Sequence, residues 1–375
     1  LKNKIHNISV VKYDVANGLS GVLKNYRNIF AEDMTFSQPG TIKSNSKKIK
    51  TNSQSKVFTF LKNIKLLKYL SFFYYARIAF NKLQKENIQK NDWILFHDPF
   101  SLFYATVLDK VRIKKLHNNL IFFNHSIGDP KEQIDYRYDC WFTRLITKFI
   151  FKFIRTTLNT SHILNLSQSA LDNFNSTYGI SHLNTFVIEN YLPSKGKVNS
   201  ESDFDNINIY IVGTISKIKR QIEILNQLPK DFYNIKLAGS IMDGFSMHDI
   251  EKIPCAEYLG ILHKPYEMFK KGDILLSVSS SEGLPLSMIE ALREGCVILA
   301  TDVGGCNRVC INGKNGILLH KDFKISELIE SLDNIIPDKK LIKQYSDYSL
   351  NLFEQHYSSK SGYDFFKRYF NTNEY

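Results

Sequence analysis

The stretch SSSEGLPLSMIEALREGCVILATDVGG, residues 279–305, restricts the chain to few folds. Ahead of it, Ile274-Leu275-Leu276 with Val278 is apolar without alternation, the pattern of a strand covered on both faces. Ser279 to Gly283 turn the chain, and Pro285 sits near the first helical position, where a missing N–H costs nothing. The helix expected over 285–294 is closed by Gly295, and Val297-Ile298-Leu299-Ala300 returns as the next strand. This is a strand–helix–strand unit of an α/β domain.

Two carboxylates frame the unit, Glu282 just before the helix and Glu290 within it. Eight residues exceed two helical turns, so the acids do not stack side by side. Glu282 is expected to project from the loop at the strand's carboxyl end, and Glu290 to reach up along one helix face. Between them the N–H groups of Gly283 and Leu284 point out of the helix start, where unpaired donors and the macrodipole favour an anion. A phosphate there, flanked by two acceptors for hydroxyls, suits a phosphorylated sugar or a nucleotide.

The same stretch resembles the E-x7-E signature of the retaining glycosyltransferases of family 4, which have the GT-B fold. EGLPLSMIEAL and ATDVGG extend the likeness. The resemblance implies that Glu282 holds donor-sugar hydroxyls, that the backbone of Gly283 and Leu284 holds the diphosphate, and that Glu290 holds the ribose. Upstream, the strand 207–212 and then Gly213-Thr214-Ile215-Ser216-Lys217-Ile218-Lys219-Arg220 resemble the family's strand, Gly, Arg, loop and Lys, whose cations hold the diphosphate. Gly213 and Lys219 match in spacing, but Thr214 stands where the Arg is usual. Either Arg220 supplies the missing charge or the diphosphate is held by one cation fewer. Cations and a helix dipole offset a leaving diphosphate without a metal, so neither metal nor cofactor is expected. The segments ending in Gly239-Ser240 and Tyr258-Leu259-Gly260 resemble those beside the nucleobase. Gly304-Gly305 matches the family glycine pair, but Arg308 replaces the acid usual three residues later.

Residues 5–11 suit an opening parallel strand, and LKNKIHNISVV lacks the apolar run of a signal peptide. Asn17-Gly18-Leu19-Ser20-Gly21 reads as a turn into a helix from Val22. By resemblance, Gly18 and Gly21 lie near the acceptor and the donor phosphates; a plain turn is the alternative. Residues 37–56 are polar and read as a mobile loop, and from Val57 to about Gln89 the pattern is helical. The strand Trp93–Phe96 ends in His97-Asp98, and the strand Leu120–Phe123 ends in Asn124-His125. Ligands of α/β sheets bind at such strand ends. By resemblance His125 faces the donor sugar, while His97 and Asp98 lie closer to the acceptor. The plain alternative is a pair of structural histidines.

Residues 1–200 carry a net charge of +16 and residues 201–375 one of −4. The first half therefore faces something anionic. In WFTRLITKFIFKFIRTTL, residues 141–158, Arg144, Lys148, Lys152 and Arg155 recur along one helix face between bulky apolar side chains. That is the form of an interfacial helix on anionic headgroups, or of a helix packed on the sheet with snorkelling lysines. No nucleic-acid recognition motif accompanies it, and no nucleic-acid partner is expected. The apolar runs near Leu70–Phe80 and Phe149–Ile154 are broken by Arg77 and Lys152, so no span is expected. Five cysteines without paired metal spacing read as reduced cytosolic thiols. Asp203-Phe204-Asp205 spells a metal–nucleotide motif of another fold, in a linker where it is chance.

These readings predict two Rossmann-like domains facing each other across a cleft. Residues 1–193 form the acceptor side, 194–206 the linker, 207–345 the nucleotide-sugar domain, and 346–375 the helices that cross back. The expected activity is retaining transfer of a hexose or N-acetylhexosamine from a nucleotide-diphosphate sugar, a UDP-sugar by family habit. The acceptor is a lipid-linked or polysaccharide chain at the inner membrane face, in capsule, O-antigen or lipopolysaccharide assembly. Glu282, His125 and Lys219 form the catalytic set, with Glu282 positioning the sugar, because front-face transfer needs no protein nucleophile. The alternatives are a sugar epimerase or phosphorylase on the same fold, and a non-catalytic basic protein that binds membrane or nucleic acid.

Overall fold

The computed structural model describes residues 4–9, 18–30, 32, 34–37, 65–89, 91–108, 119–125, 131, 134, 140–180, 185–194, 204–229, 233–242 and 244–372. The loop expected at 37–56 and the helical pattern expected from 57 to 64 lie outside them, apart from Ser37. The chain divides into two compact units, residues 1–188 with 367–375, and residues 189–366. The boundary precedes the linker expected at 194–206. Asn190 donates its side-chain N–H to Leu284 O at 3.0 Å and Leu192 N–H donates to Tyr357 O at 2.9 Å, tying 189–193 to the second unit.

The first unit is built on a parallel sheet in the order β2-β1-β3-β4-β5-β6. Its strands are β1 Ile5–Ile8, β2 Met34–Ser37, β3 Trp93–Phe96, β4 Leu120–Asn124, β5 His162–Asn165 and β6 Thr185–Val187. The helices are α1 Gly18–Ile29, α2 Lys65–Leu83, α3 Pro99–Leu108, α4 Trp141–Leu158 and α5 Gln168–Tyr178. The chain order reverses between β1 and β3, which makes their carboxyl ends the switch point where such sheets take ligands. Helix α1 begins at Gly18, so Gly18 and Gly21 belong to its first turn and not to a preceding loop. The edge strand β2, a four-residue MTFS, gave no periodic signal and was not anticipated. β3 and β4 are buried along their whole length, as unbroken apolar runs must be in a sheet covered on both faces.

In the second unit β7 Ile209–Val212, β8 Ile235–Ala238, β9 Ala256–Tyr258, β10 Ile274–Ser277, β11 Val297–Thr301 and β12 Gly316–Leu319 form a second parallel sheet, ordered β12-β11-β10-β7-β8-β9. Counted within the unit this is the doubly wound order, with the switch point between β7 and β10. Ile274 and Leu275 pair with Ile209 and Tyr210 across that seam. The helices are α6 Gln221–Leu225, α7 Met247–Glu251, α8 Leu286–Glu294, α9 Cys306–Val309, α10 Ile325–Ile335, α11 Lys339–Leu352 and α12 Ser359–Thr372. Residues 367–372 of α12 cluster with the first unit. Helix α8 starts one residue later than expected: Pro285 has extended geometry, ψ 118°, and serves as the N-cap. Gly295 closes α8 at φ 75°, with Cys296 N–H donating to Ala291 O and Gly295 N–H to Leu292 O. All five cysteines are free thiols.

Candidate functional site

The second unit brings the loop after β7 and the loop after β10 together at the switch point. Ser280 donates both its backbone N–H and its hydroxyl to Ile218 O, at 2.8 and 3.1 Å. Gln221, buried at the start of α6, folds the first loop back on itself by accepting from Ser216 N–H at 3.2 Å and donating to Thr214 O at 3.1 Å. The result delivers Lys219 Nζ to Glu282 Oε1 as an ion pair. Glu282 is 6% exposed, and Ser279 Oγ donates to the same oxygen at 2.5 Å. Ser279 is held in turn by Thr301 Oγ1, which donates to Ser279 O at 2.5 Å. A buried carboxylate is tolerable only with such partners.

The backbone beyond Glu282 is held from below. Gly305 N–H donates to Gly283 O at 2.6 Å, and the Asn190 amide donates to Leu284 O. Gly304, at φ +56°, lies so close that a Cβ would sit 1.7 Å from Glu282 O. With the carbonyls claimed from behind, the N–H groups of Gly283, Leu284, Leu286 and Ser287 have no acceptor among the described residues. They form the open N-terminus of α8, an anion site by geometry and dipole.

Glu290 stands about one turn into α8, half-buried, with no hydrogen bond or ion pair to its carboxylate among the described residues. Burial pushes its pKa up to about 7; neighbouring Glu294 adds to the rise and Arg293 opposes it. A half-buried carboxylate with no partner among the described residues, one turn from an open helix terminus, is an acceptor without a donor.

Arg220, the other candidate cation, has partners outside this cluster. Arg220, at φ 56° ahead of α6, gives its guanidinium to Glu223 at 2.7 Å and Lys321 O at 2.9 Å, and lies over the Phe323 ring. Thr214 meets Ser240 Oγ at 3.3 Å. Lys219 is thus the cation that the loop presents to Glu282. Arg308, in the place of the usual acid, pairs with Glu189, whose carboxyl burial pushes up against the opposing pull of Arg308 and His356. Gly213 stays within reach of Lys219, its notional Cβ 3.8 Å from the lysine Cε. Ser279, Thr301 and Asn190 were not singled out by sequence reasoning. Ser279 and Thr301 lie within the motif stretch, and Asn190 becomes meaningful only through contact.

In the first unit the two histidines form one chain of hydrogen bonds. Asn7 Nδ2 donates to Thr35 O at 3.2 Å, which turns Asn7 Oδ1 toward His97 Nε2 at 2.9 Å. His97 Nε2 therefore carries its proton, and His97 Nδ1 accepts from His125 Nε2 at 2.8 Å. Burial pushes His97 well below the ordinary histidine range, helped by His125, and burial holds His125 at about 3. Both rings are neutral, and His125, stacked on Phe123 at 3.9 Å between centroids, has no partner at Nδ1 among the described residues. Asp98 is the N-cap of α3: Ser101 N–H and Oγ donate to its two oxygens at 2.7 and 2.8 Å. Its carboxylate serves the helix.

Comparison with known proteins bears on the fold and on part of the second unit. Residues 256–351, from β9 to near the end of α11, match the family Glycosyl transferases group 1. The chain is 25% identical over 313 residues to an uncharacterized glycosyltransferase, MJ1069, of Methanocaldococcus jannaschii, covering 76% of each. It is 26% identical over 168 residues to the O-antigen biosynthesis glycosyltransferase WbnH of Escherichia coli, covering 42% of this chain and 47% of that one. Among solved structures, Anabaena Alr3699/HepE in complex with UDP superposes with a TM-score of 0.66 at 15% identity, covering 98% of this chain and all of that one. At that identity the likeness carries the fold. The fold is GT-B, and its second unit contains a group 1 glycosyltransferase segment.

Proposed function

We propose that this protein is a retaining glycosyltransferase that moves a hexose or N-acetylhexosamine from a UDP-sugar to a lipid-linked or polysaccharide acceptor, in capsule, O-antigen or lipopolysaccharide assembly. The observation that carries the reading is the open start of α8. N–H groups of Gly283 and Leu284, unclaimed among the described residues, stand between a buried carboxylate held by Lys219 and a second carboxylate, Glu290, with no partner among those residues. A sugar linked to a nucleoside through a diphosphate offers hydroxyl, phosphate and hydroxyl in that order.

The assigned roles follow from the donor and acceptor inventory. The helix N-terminus takes the diphosphate, and Lys219 Nζ shares itself between Glu282 and the leaving phosphate oxygen, where negative charge grows as the glycosidic bond breaks. Glu282 accepts from sugar hydroxyls, and Glu290 from the ribose. Glu282 is already ion-paired and hydrogen-bonded, which suits a positioning acceptor and not a base. The departing phosphate takes the acceptor hydroxyl's proton. Gly213 lets the β7 loop lie close beside Lys219, and Nδ1 of His125 is assigned to a sugar hydroxyl. The UDP in the HepE structure and the O-antigen role of WbnH support the choice of base and pathway. The basic bias of residues 1–200 supports an acceptor at the inner face of the plasma membrane.

The test is a thermal-shift panel of nucleotides and nucleotide sugars on the wild-type protein and on Glu290→Ala, followed by product analysis of anomeric configuration. Stabilisation by UDP that Glu290→Ala removes, and a product with the donor's configuration, are expected. No stabilisation by any nucleotide would sink the donor-site assignment. An inverted product would remove the retaining mechanism, and turnover without any acceptor would point to an epimerase.

A further inference from the structure

Helix α4 divides its surface three ways. Thr143, Thr147, Ile150, Phe151, Ile154 and Leu158 are buried against the first unit. On the outer side Trp141, Leu145, Phe149 and Phe153 step four residues at a time, and they are 72, 55, 52 and 48% exposed. Beside that stripe runs another of Arg144, Lys148, Lys152 and Arg155. The helix contains no acidic residue, and Lys148, Lys152 and Arg155 have no acidic partner among the described residues. The apolar ridge continues onto α3. Phe103 meets Phe149 and Phe153 edge-on, with centroids 6.2 and 5.9 Å apart, and Val107 one turn further is also exposed.

We infer that this face docks on an anionic lipid surface, with α4 lying in the plane of the interface. The aromatic stripe enters the headgroup–acyl boundary, and the cationic stripe beside it meets the lipid phosphates. A helix with separate apolar and basic sectors on its free side fits that boundary, because each stripe finds its own solvent at one depth. No helix among the described residues is long and apolar enough to cross a membrane, so the contact is peripheral. Charge decides against a second copy of this chain, whose own cationic stripe would oppose the first. A nucleic-acid backbone would satisfy the cations and leave the aliphatic Leu145, in the middle of the stripe, in water. The inference is independent of the transfer reading, because α4 belongs to the first unit and the donor residues to the second.

The chain contains two tryptophans, and the other, Trp93, is buried. Emission changes on vesicle binding therefore report Trp141. The experiment uses the full chain with phosphatidylglycerol–phosphatidylcholine vesicles at low salt, read by co-flotation, by Trp141 emission and by quenching from brominated acyl chains. We expect flotation, a blue shift and quenching, with little binding to pure phosphatidylcholine. Lys148→Gln with Lys152→Gln lowers the partition coefficient about 30-fold, at about 1 kcal/mol per cation. Leu145→Gln, whose side chain is outside the core, lowers it as well, and both variants keep wild-type thermal unfolding and nucleotide response. Protein that stays unbound overturns the inference. So does binding without a Trp141 shift or quenching, which is surface attraction alone. Tight binding to poly(U) without vesicle binding would make the face a nucleic-acid site, and a dimer abolished by Leu145→Gln would make it a homotypic interface.

Discussion

Gly304→Ala tests how the Glu282 loop is held. At φ +56° a Cβ on Gly304 would lie 1.7 Å from Glu282 O and 2.7 Å from Glu282 C, where real contacts stay beyond 3.0 Å. Both obstacles are backbone, so no side chain can swing aside. The two loops must part by ~1.3 Å to bring the 1.7 Å contact with Glu282 O out to 3.0 Å. Left-handed geometry costs alanine about 1 kcal/mol, and forced overpacking adds about 1–3 kcal/mol. We therefore expect Gly304→Ala to lose about 2–4 kcal/mol in urea unfolding. A displacement of that size at Glu282 and Gly283 should lower kcat/KM, and with it UDP affinity, by about 10²-fold.

Gly313 is the control. It has φ +71° but nothing within 4 Å of its notional Cβ, so Gly313→Ala meets the same backbone strain without the collision. It should lose about 1 kcal/mol and bind UDP as wild type does. Urea titration and calorimetric UDP binding on both variants separate the two effects. A folded Gly304→Ala with UDP affinity within about twofold of wild type would refute the reasoning, as would equal losses in both variants.

Glu290, with its pKa raised to about 7, should make UDP binding pH-dependent. Ribose hydroxyls donate to the ionised form, so affinity rises from pH 6 to 8, and Glu290→Gln binds more weakly and without that slope. For the ligand-free protein the sign reverses. The folded pKa lies above the ordinary 4.5, so stability falls as pH rises from about 4.5 through about 7, and urea midpoints of Glu290→Gln should lack that fall. Lys219→Ala should cost about 10²–10³ in kcat, while Arg220→Ala, already committed to Glu223 and Lys321 O, should leave UDP affinity within about twofold in calorimetric titration. Asp98→Ala should cost about 1 kcal/mol of unfolding free energy through loss of its cap, with UDP binding intact.

Much of the second unit was legible because its strands are unbroken apolar runs and its helix α8 is bracketed by Pro285 and Gly295. Glu282, Gly283 and Glu290 could be grouped from the sequence because they lie along one short segment, which the structure brings to the switch point. What escaped had no local signal. β2 and β12 are four-residue edge strands, and they acquire meaning only by pairing with β1 and β11. Asn190 reaches Leu284 across 94 positions, a separation no periodicity reports. Arg220, one of two alternatives on charge and spacing, has a left-handed backbone and gives its guanidinium to Glu223 three residues on, a local arrangement that the sequence does not announce. His97 and His125 were read as two separate strand-end residues, and only the sheet shows them as one relay through Asn7.

That relay bears on the chemistry. The proton order from Asn7 through His97 leaves His125 neutral, with no partner at Nδ1 among the described residues, and burial pushes its pKa down to about 3. His125 can then accept from a hydroxyl but cannot act as a cation at the sugar or as a general acid. Glu282 is tied to Lys219 and Ser279. Glu290, pushed up to about 7, titrates near neutrality, and its assigned contact is with the nucleotide and not the reacting carbon. The pH dependence of turnover should therefore appear in KM for the donor, with kcat nearly flat between pH 6 and 8. That division is what transfer driven by a leaving phosphate predicts, because the proton acceptor arrives with the substrate.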